Sequence, residues 1–451
     1  MCDNANKNIF ALPVCVASAL RRLNDNGFEA YCVGGCVRDY IMGIQPHDFD
    51  ITTAATPQEV TECFKDCRVI ETGIQHGTVT VVLDGEMLEI TTFRTDGTYS
   101  DGRHPDNVSF TRNLTQDLAR RDFTVNAMAY NPEVGIVDPF GGREHIKEKI
   151  ISCVGDANTR FSEDALRIMR ALRFSSVLGF EIAQSTADAA LGKTPMLDKI
   201  STERIYAELM KLLCGKNAEK VLLGFPEIIS RIIPELAPCV GFDQKTKYHK
   251  YDVYTHIVKS VAYCDNIPVV RLAALLHDIA KPVCFFVDSK GIGRSHGHQE
   301  KGAEMAKNIL KRLHSDNKTI ATVTALIARH DIRMAPDRLW VKRLISETSF
   351  EFARLLMKLR RGDILAHADI CNDPSYTYEV ESVIDDLEKQ NACLFTKDLA
   401  ISGIDLMDMG FSKGKIIGEV LAELLDDVIT ETLPNTRQAL TNKALEILKK
   451  V

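Results

Sequence analysis

Gly34-Gly35-Cys36-Val37-Arg38-Asp39, followed nine positions after Asp39 by Asp48-Phe49-Asp50-Ile51, decides how the front of this chain folds and what it can hold. Ala30-Tyr31-Cys32-Val33 ahead of it is apolar and reads as a strand ending at the glycine pair. Val37–Met42 then reads as a short helix, Gly43–Pro46 as a turn, and Asp48–Ile51 as a second strand. Side chains alternate along a strand, so Asp48 and Asp50 are expected on one face. Two adjacent carboxylates repel each other unless cations lie between them. A pair of metal ions roughly 3.5–4 Å apart turns that repulsion into binding. Glycines let backbone amides come close to an anion. Gly34, Gly35 and Arg38 therefore suit the β- and γ-phosphates of a nucleoside triphosphate. An isolated Asp-x-Asp can be no more than a solvated strand edge; the order glycines, helix, turn and aspartates gives this one its weight.

The surrounding sequence extends the same unit. Val79–Ile90 reads as a hairpin turned at Asp84-Gly85. That register puts Val81 opposite Leu88 and Val79 opposite Ile90 on an apolar face, with Glu89 opposite Thr80 on the other. Glu89 is the candidate third carboxylate, placed to prepare an attacking hydroxyl. Arg120-Arg121-Asp122-Phe123-Thr124-Val125-Asn126 reads either as a helix start capped by Asp122 or as a wall of the triphosphate site. In the second case Arg121 meets phosphate and Asn126 the sugar. Residues 95–107, rich in Gly, Asp, Pro and Ser, read as a loop.

The chain has 451 residues, 45% apolar and 26% charged, which implies several globular domains. No window approaches the ~18–20 apolar residues of a membrane span, and Met1–Lys7 shows no charged-then-apolar signal. The 13 cysteines are scattered without a Cys-x-x-Cys, as expected of reduced thiols in a cytoplasmic protein. A net charge of −7 excludes a generally basic nucleic-acid binder. Local positive surface is available from Arg94, Arg103, Arg112, Arg120 and Arg121, and from Arg160, Arg167, Arg170 and Arg173.

Residues 1–150 read as mixed α/β; from Ser162 on, strand patterns almost vanish, and helices are expected over Ser162–Leu178, Thr202–Leu213, Val253–Asp265, Val269–Ile279, Gln299–Arg312 and Thr319–His330. On Ser162–Leu178, Asp164 and Arg167 are three apart and share a face. A carboxylate with a guanidinium matches the amino-plus-acceptor edge common to cytosine and adenine, and rejects uracil and guanine. The residues alone favour an ordinary helix salt bridge, such as Glu163 with Arg167, over base selection. A second constellation, His256, His277-Asp278, His298, His330 and Asp369, suits a divalent metal in a helical bundle.

Gly34-Gly35-x-Val37-Arg38-Asp39…Asp48-Phe49-Asp50, Thr72-Gly73-Ile74-x-His76-Gly77-Thr78-Val79 and Arg120-Arg121-Asp122-Phe123-Thr124-x-Asn126-Ala127 together resemble the bacterial-type (class II) CCA-adding enzymes. These are tRNA nucleotidyltransferases of the poly(A) polymerase family. The resemblance continues through Glu163-Asp164-x-x-Arg167-x-x-Arg170-Ala171-x-Arg173-Phe174, Glu203-Arg204-Ile205 and Ile401-Ser402-Gly403-x-Asp405. It implies an α+β fold: a small polymerase β-like head (1–150) followed by an all-α neck (151–245), a middle domain (246–375) and a tail (376–451). It implies template-independent addition and repair of the tRNA 3′ CCA from CTP and ATP, with Mg²⁺ on Asp48 and Asp50. Asp164 and Arg167 would select the base, Arg121, Asp122, Asn126, Arg170 and Arg173 would line the nucleotide site, and neck and tail would grip the acceptor stem and elbow. Relatives adding only CC or only A, and poly(A) polymerases, are the alternatives. The loop Thr95-Asp96-Gly97-x-Tyr99-Ser100-Asp101-x-Arg103-His104-Pro105 looks complete, which favours full CCA synthesis. The histidine constellation, with Lys281-Pro282 and His298-x-x-x-Gly302, resembles an HD-type phosphohydrolase domain, which implies either metal-assisted phosphoester hydrolysis or a retained structural module.

Overall fold

The computed structural model describes residues 10–71, 73–97, 107–332 and 336–449, without the His76 side chain. Most of the Asp96–Pro105 loop, Arg103 included, and Thr72 lie outside these residues. The chain divides into two compact units, Met1–Pro234 and Glu235–Val451.

The first unit is built on strands β1 (Ala30–Val33), β2 (Asp50–Thr53), β3 (Arg68–Ile70), β4 (Thr78–Leu83), β5 (Glu86–Thr92), β6 (Arg94–Asp96), β7 (Val108–Phe110), β8 (Ala129–Asn131) and β9 (Gly135–Val137). Seven of them form one sheet in the order β3-β4-β5-β2-β1-β8-β9; β6 and β7 pair separately. The β4–β5 hairpin has the expected register, with Val81 opposite Leu88, Val79 opposite Ile90 and Thr80 opposite Glu89. Its turn places Asp84 and Gly85 at φ 54° and 86°, as a two-residue hairpin of right-handed twist demands. Ile51, Val79, Val81 and Ile90 are fully buried on one face. On the other, Tyr31 and Val33 pack with Phe93, Leu114 and Leu118, the last two from α4 below.

Helices α1 (Val14–Asp25), α2 (Gly35–Ile41), α3 (Pro57–Cys63), α4 (Leu114–Ala119), α5 (Gly142–Glu148), α6 (Ala157–Glu163) and α7 (Leu166–Leu178) accompany the sheet. Three expectations need correction. β2 begins at Asp50, so Asp48 stands in the segment entering the strand. Arg120–Ala129 is not a helix: a single 3₁₀ turn, Thr124–Asn126, leads into β8. The expected Ser162–Leu178 helix is broken in two at Asp164, whose backbone is extended at φ −138° and ψ 104°. Beyond the break, α7 turns back to the Arg120–Asp122 segment. Arg170 on α7 donates to Asp122 at 2.7 Å, and Arg167 donates to the carbonyl of Arg120 at 3.0 Å. Burial pushes the Asp122 carboxyl up, but Arg170 outweighs this and holds it below the usual carboxylate range.

The second unit is almost wholly helical, with Thr202–Leu213 of the first unit already setting that pattern; its only strands among the described residues are Phe286–Val287 and Gly293–Arg294. Val253–Tyr263 packs on Phe350–Leu365 at Gly362. A methyl group there would collide with Cys264 Sγ and stand 2.8 Å from the Ser260 carbonyl oxygen.

Two outcomes follow from this packing. Gly362→Ala, an overpacking change, lowers unfolding stability by about 1–3 kcal/mol in chemical denaturation. Asp122→Asn costs roughly 2–3 kcal/mol at neutral pH, less than a fully buried pair because Arg170 is partly exposed. Since the folded-state Asp122 pKa is depressed, its contribution is present above the unfolded value and lost as pH falls. The wild-type advantage over Asp122→Asn therefore shrinks below about pH 4.

Candidate active site

The parallel pairing of β2 with β5 puts Ile51 beside Ile90. One step back along both strands, Asp50 stands beside Glu89 on the opposite face. Asp48 enters from the preceding segment, and all three carboxylates are exposed. Asp50 is nonetheless crowded by protein. Burial pushes its carboxyl up, Arg121 opposes that, and the like charge of Asp48 adds to it. The donor set is entirely oxygen and is short of positive charge, which fits a hard divalent cation.

Gly34 lies between these carboxylates and the guanidinium groups. Its φ of 81° is left-handed, and a Cβ there would stand 3.2 Å from Arg121 Nη1. Both constraints select glycine. Arg121 is itself held from behind by Asp117, with Nη2 3.6 Å from Oδ2. Asp117 is fully buried; it also pairs with Arg120 at 2.9 Å, receives the Arg94 backbone N–H at 3.3 Å and contacts the Thr52 hydroxyl at 3.4 Å. It was not singled out from the sequence. Its signal was there, a carboxylate three and four residues ahead of two arginines, but that spacing is also commonplace on helix surfaces.

A second set of cations surrounds Phe174. The guanidinium carbons of Arg38, Arg170 and Arg173 lie 5.4, 5.3 and 3.6 Å from its ring centroid. Arg38 donates to Asn126 Oδ1 at 2.7 Å, Asn126 donates to Asp122 at 3.4 Å, and Arg173 pairs with Glu208 at 2.9 Å. Gly34, Gly35, Arg38, Arg121, Asp122, Asn126, Arg170 and Arg173 are thus tied to one another by direct contacts or short chains of them. Asp164 and Arg167 are not joined in the same way. The break between α6 and α7 takes them off a common helix face. Asp164 pairs with Arg204 at 3.2 Å, while Arg167 pairs with Glu163 at 2.7 Å.

In the second unit, His256, His277, Asp278, His298 and His330 converge, all at least nine-tenths buried. Asp369 does not join them. It is exposed and pairs with Lys250, because the helix carrying the inward carboxylate ends at Leu365. Asp363, six residues earlier than the expected ligand, is 3% exposed and meets His256 Nε2 at 3.0 Å. The Nδ1 atoms of His277, His298 and His330 lie 2.8, 2.8 and 2.7 Å from backbone carbonyls, and that of His256 lies 3.3 Å from one. A carbonyl only accepts, so Nδ1 of His277, His298 and His330 carries a proton and Nε2 is left to face the cluster, whereas His256 lies between two acceptors, the Ala366 carbonyl and Asp363. Nε2 of His256 faces Nε2 of His277 at 3.4 Å, and that of His298 faces His330 at 3.3 Å.

Asp278 lies between the two pairs. Its Oδ2 is 3.3 and 3.2 Å from His256 and His277, and its Oδ1 is 3.4 and 3.6 Å from His298 and His330. Neither oxygen accepts a well-formed hydrogen bond, though Lys281 Nζ forms an ion pair with Oδ2 at 2.6 Å. Facing lone pairs and an under-satisfied buried carboxylate are what divalent cations relieve. Without them a proton does part of that work: burial opposes charge on His277, but Asp278 and Asp363 outweigh it and raise the imidazole to about 10.

All twelve cysteines among the described residues are free thiols, and no helix among those residues is long and apolar enough to cross a membrane.

Comparison with known proteins agrees with this geometry. Residues 30–152 match the family "Poly A polymerase head domain", 179–238 "Probable RNA and SrmB- binding site of polymerase A" and 299–444 "tRNA nucleotidyltransferase domain 2 putative". The CCA-adding enzyme of Enterococcus faecalis is 33% identical over 432 residues, covering 95% of this chain and 94% of the relative. That of Latilactobacillus sakei is 36% identical over 441 residues, covering 96% and 97%. Among solved structures, the Bacillus stearothermophilus CCA-adding enzyme in complex with CTP superposes with a TM-score of 0.74 at 29% identity, over 97% of each chain. With a carboxylate cluster beside a glycine turn on a polymerase β-like sheet, and relatives alike from end to end, the chain belongs to the family of CCA-adding enzymes.

Proposed function

We propose that this chain builds and repairs the 3′-terminal CCA of tRNA from CTP and ATP, without a nucleic-acid template and with release of pyrophosphate. The observation that carries this reading is the β2–β5 register, which sets Asp50 beside Glu89 next to the Gly34 turn backed by Arg121. Asp48 and Asp50 would hold magnesium, which when bound supplies charge neutralisation at the α-phosphate and the departing pyrophosphate. Glu89 takes the proton of the RNA 3′-hydroxyl. That oxygen then bonds to the α-phosphorus as the bond to the β-phosphate oxygen breaks. The Gly34-Gly35 backbone, Arg38 and Arg121 orient the triphosphate. Asn126, kept in place by Arg38 and Asp122, meets the sugar.

Asp164 and Arg167 read the base edge, exchanging their present partners Arg204 and Glu163 for the amino group and ring nitrogen shared by cytosine and adenine. Head (1–150), neck (151–245), middle domain (246–375) and tail (376–451) divide the labour in a cytoplasmic enzyme. The arginines of the neck, with the tail, hold the acceptor stem and elbow by shape and phosphate. Full CCA synthesis is favoured over CC-only, A-only and poly(A) addition because the relatives alike over the whole chain are CCA-adding enzymes.

A second activity is favoured by Asp278, whose two oxygens face two imidazole pairs. Imidazole with carboxylate suits manganese, iron, cobalt or zinc. His256, His277, Asp363 and Asp278 Oδ2 would hold one ion, and His298, His330 and Asp278 Oδ1 another. Ions so placed supply an activated water for metal-assisted hydrolysis of a phosphoester.

Transcripts ending before CCA, after C and after CC, incubated singly with each nucleoside triphosphate and Mg²⁺, test the first reading. Wild type completes CCA on all three given CTP and ATP. Asp48→Ala and Asp50→Ala each lose several kcal/mol of transition-state stabilisation, about 10³-fold or more in rate, with tRNA affinity retained. Wild-type rates in either variant would end the proposal. For the second reading, elemental analysis of protein loaded with Mn²⁺ and desalted returns about two ions per chain, and chelation lowers Tm by several degrees. His277→Ala loses metal and phosphoester hydrolysis while CCA addition persists.

A further inference from the structure

Asp48 and Asp50 carry like charges close together, and the sheet holds only one of them. The ladder between β1 and β2 ends with Val33 opposite Asp50, so Phe49 and Asp48 stand beyond its last rung. Another contact must fix that entering segment if both carboxylates are to be in place before a cation arrives. Phe49, between them in the chain, is half-buried and directs its ring to Phe10, with centroids 6.0 Å apart. Phe10 in turn stacks on Tyr40 of α2 at 4.1 Å, with the ring planes 15° apart, and meets Tyr130 of β8 at 4.8 Å. Tyr40 and Tyr130 also meet, at 6.3 Å. Four rings from four segments form one cluster, and Phe10 is the ring that touches the other three. It is 3% exposed, although it lies ahead of α1 and outside the 30–152 region that matches the polymerase head. Helix α2 carries Gly35 and Arg38 as well as Tyr40, so the same ring ties the helix at the glycine turn to the aspartate segment.

We infer that Phe10 is a positioning residue for nucleotidyl transfer: its ring ties Phe49 to Tyr40 and Tyr130 and so holds Asp48 and Asp50 ready for their metal ions. The inference rests on the proposed reading of Asp48 and Asp50 as the magnesium ligands. Phe10 acts through Phe49. Each aromatic contact is modest by itself. Its leverage comes from place, because a displacement of about 1 Å at a reacting centre can cost on the order of 100-fold in rate.

The test uses the full chain and two readouts. In protein stripped with EDTA, hydrogen exchange is followed at the backbone amides of residues 47–50 and, as a reference, of the β4–β5 hairpin. In Mg²⁺ titrations at saturating CTP and tRNA, kcat and the half-saturating Mg²⁺ concentration are measured for CTP addition. Phe10→Ala speeds exchange at 47–50, lowers kcat and raises half-saturating Mg²⁺, each about tenfold, and leaves the hairpin unchanged. Phe10→Leu keeps apolar bulk but loses the stack; it moves the same quantities about threefold and keeps the test readable if the alanine variant fails to fold. Leu23→Ala empties a fully buried position in the last turn of α1; it lowers Tm but leaves exchange at 47–50 and the Mg²⁺ dependence at wild-type values. Phe10→Ala adds nothing to the kcat loss of Phe49→Ala, as expected of residues that act as one unit. Wild-type exchange and Mg²⁺ dependence in the Phe10 variants, the same shifts in Leu23→Ala, or Phe10 and Phe49 effects that multiply, overturn the inference. A wild-type rate in Asp48→Ala overturns instead the magnesium reading on which it rests.

Discussion

Asp117 and Asp122 are buried carboxylates, and the head of this chain depends on how they are paired. Each would be costly alone. Asp117 is matched by Arg120 and Arg121, and Asp122 by Arg170. The pairs add little net stability over apolar packing, but they set where the guanidinium groups end. Arg121 is held against the Gly34 turn, and Arg170 is drawn to Phe174 beside Arg38 and Arg173. Positive charge is thereby concentrated behind three carboxylates that are themselves short of it. Arg120, Arg121, Arg170 and Arg173 are each anchored by a carboxylate of their own surroundings, Asp117, Asp122 or Glu208.

That arrangement explains why the local fold is so irregular around Asp122. A regular helix over Arg120–Ala129 would direct Arg121 and Asn126 by the helical period alone. The 3₁₀ turn at Thr124–Asn126 instead lets Asn126 reach both Arg38 and Asp122. Likewise, the break at Asp164 frees α7 from the direction of α6, so that Arg167 and Arg170 return to the Arg120–Asp122 segment. Polar contacts to backbone and carboxylate outcompete helix continuation at both places.

This competition also marks what could and could not be read in the residue string. The β4–β5 register was legible because apolar alternation and an Asp-Gly turn allow only one alignment. Glu89 beside Asp50 followed once β2 paired with β5, a long-range pairing that no local pattern specifies. The helix starts at Thr202 and Val253 were legible from periodicity. The break at Asp164 was not, because the partners around it, Arg204 on Asp164 and Arg120 and Asp122 on Arg167 and Arg170, lie far along the chain. Asp369 was a poor choice for a physical reason as well. A carboxylate identified by type and rough position cannot be told from one a helical turn and a half earlier until the helix end at Leu365 is known.

The two clusters differ in a way that bears on how one chain can serve two chemistries. The head offers oxygen donors only, exposed on one face of the sheet where β2 meets β5, which suits a weakly held, readily exchanged hard ion that arrives with its substrate's phosphates. The second unit offers two buried carboxylates and four buried imidazoles, the latter each with Nδ1 at a backbone carbonyl, which suits a tightly resident transition metal. Donor softness would therefore sort the two kinds of ion between the clusters. Magnesium competes poorly for the histidines. A resident transition metal, once bound there, has little reason to leave for the aspartates.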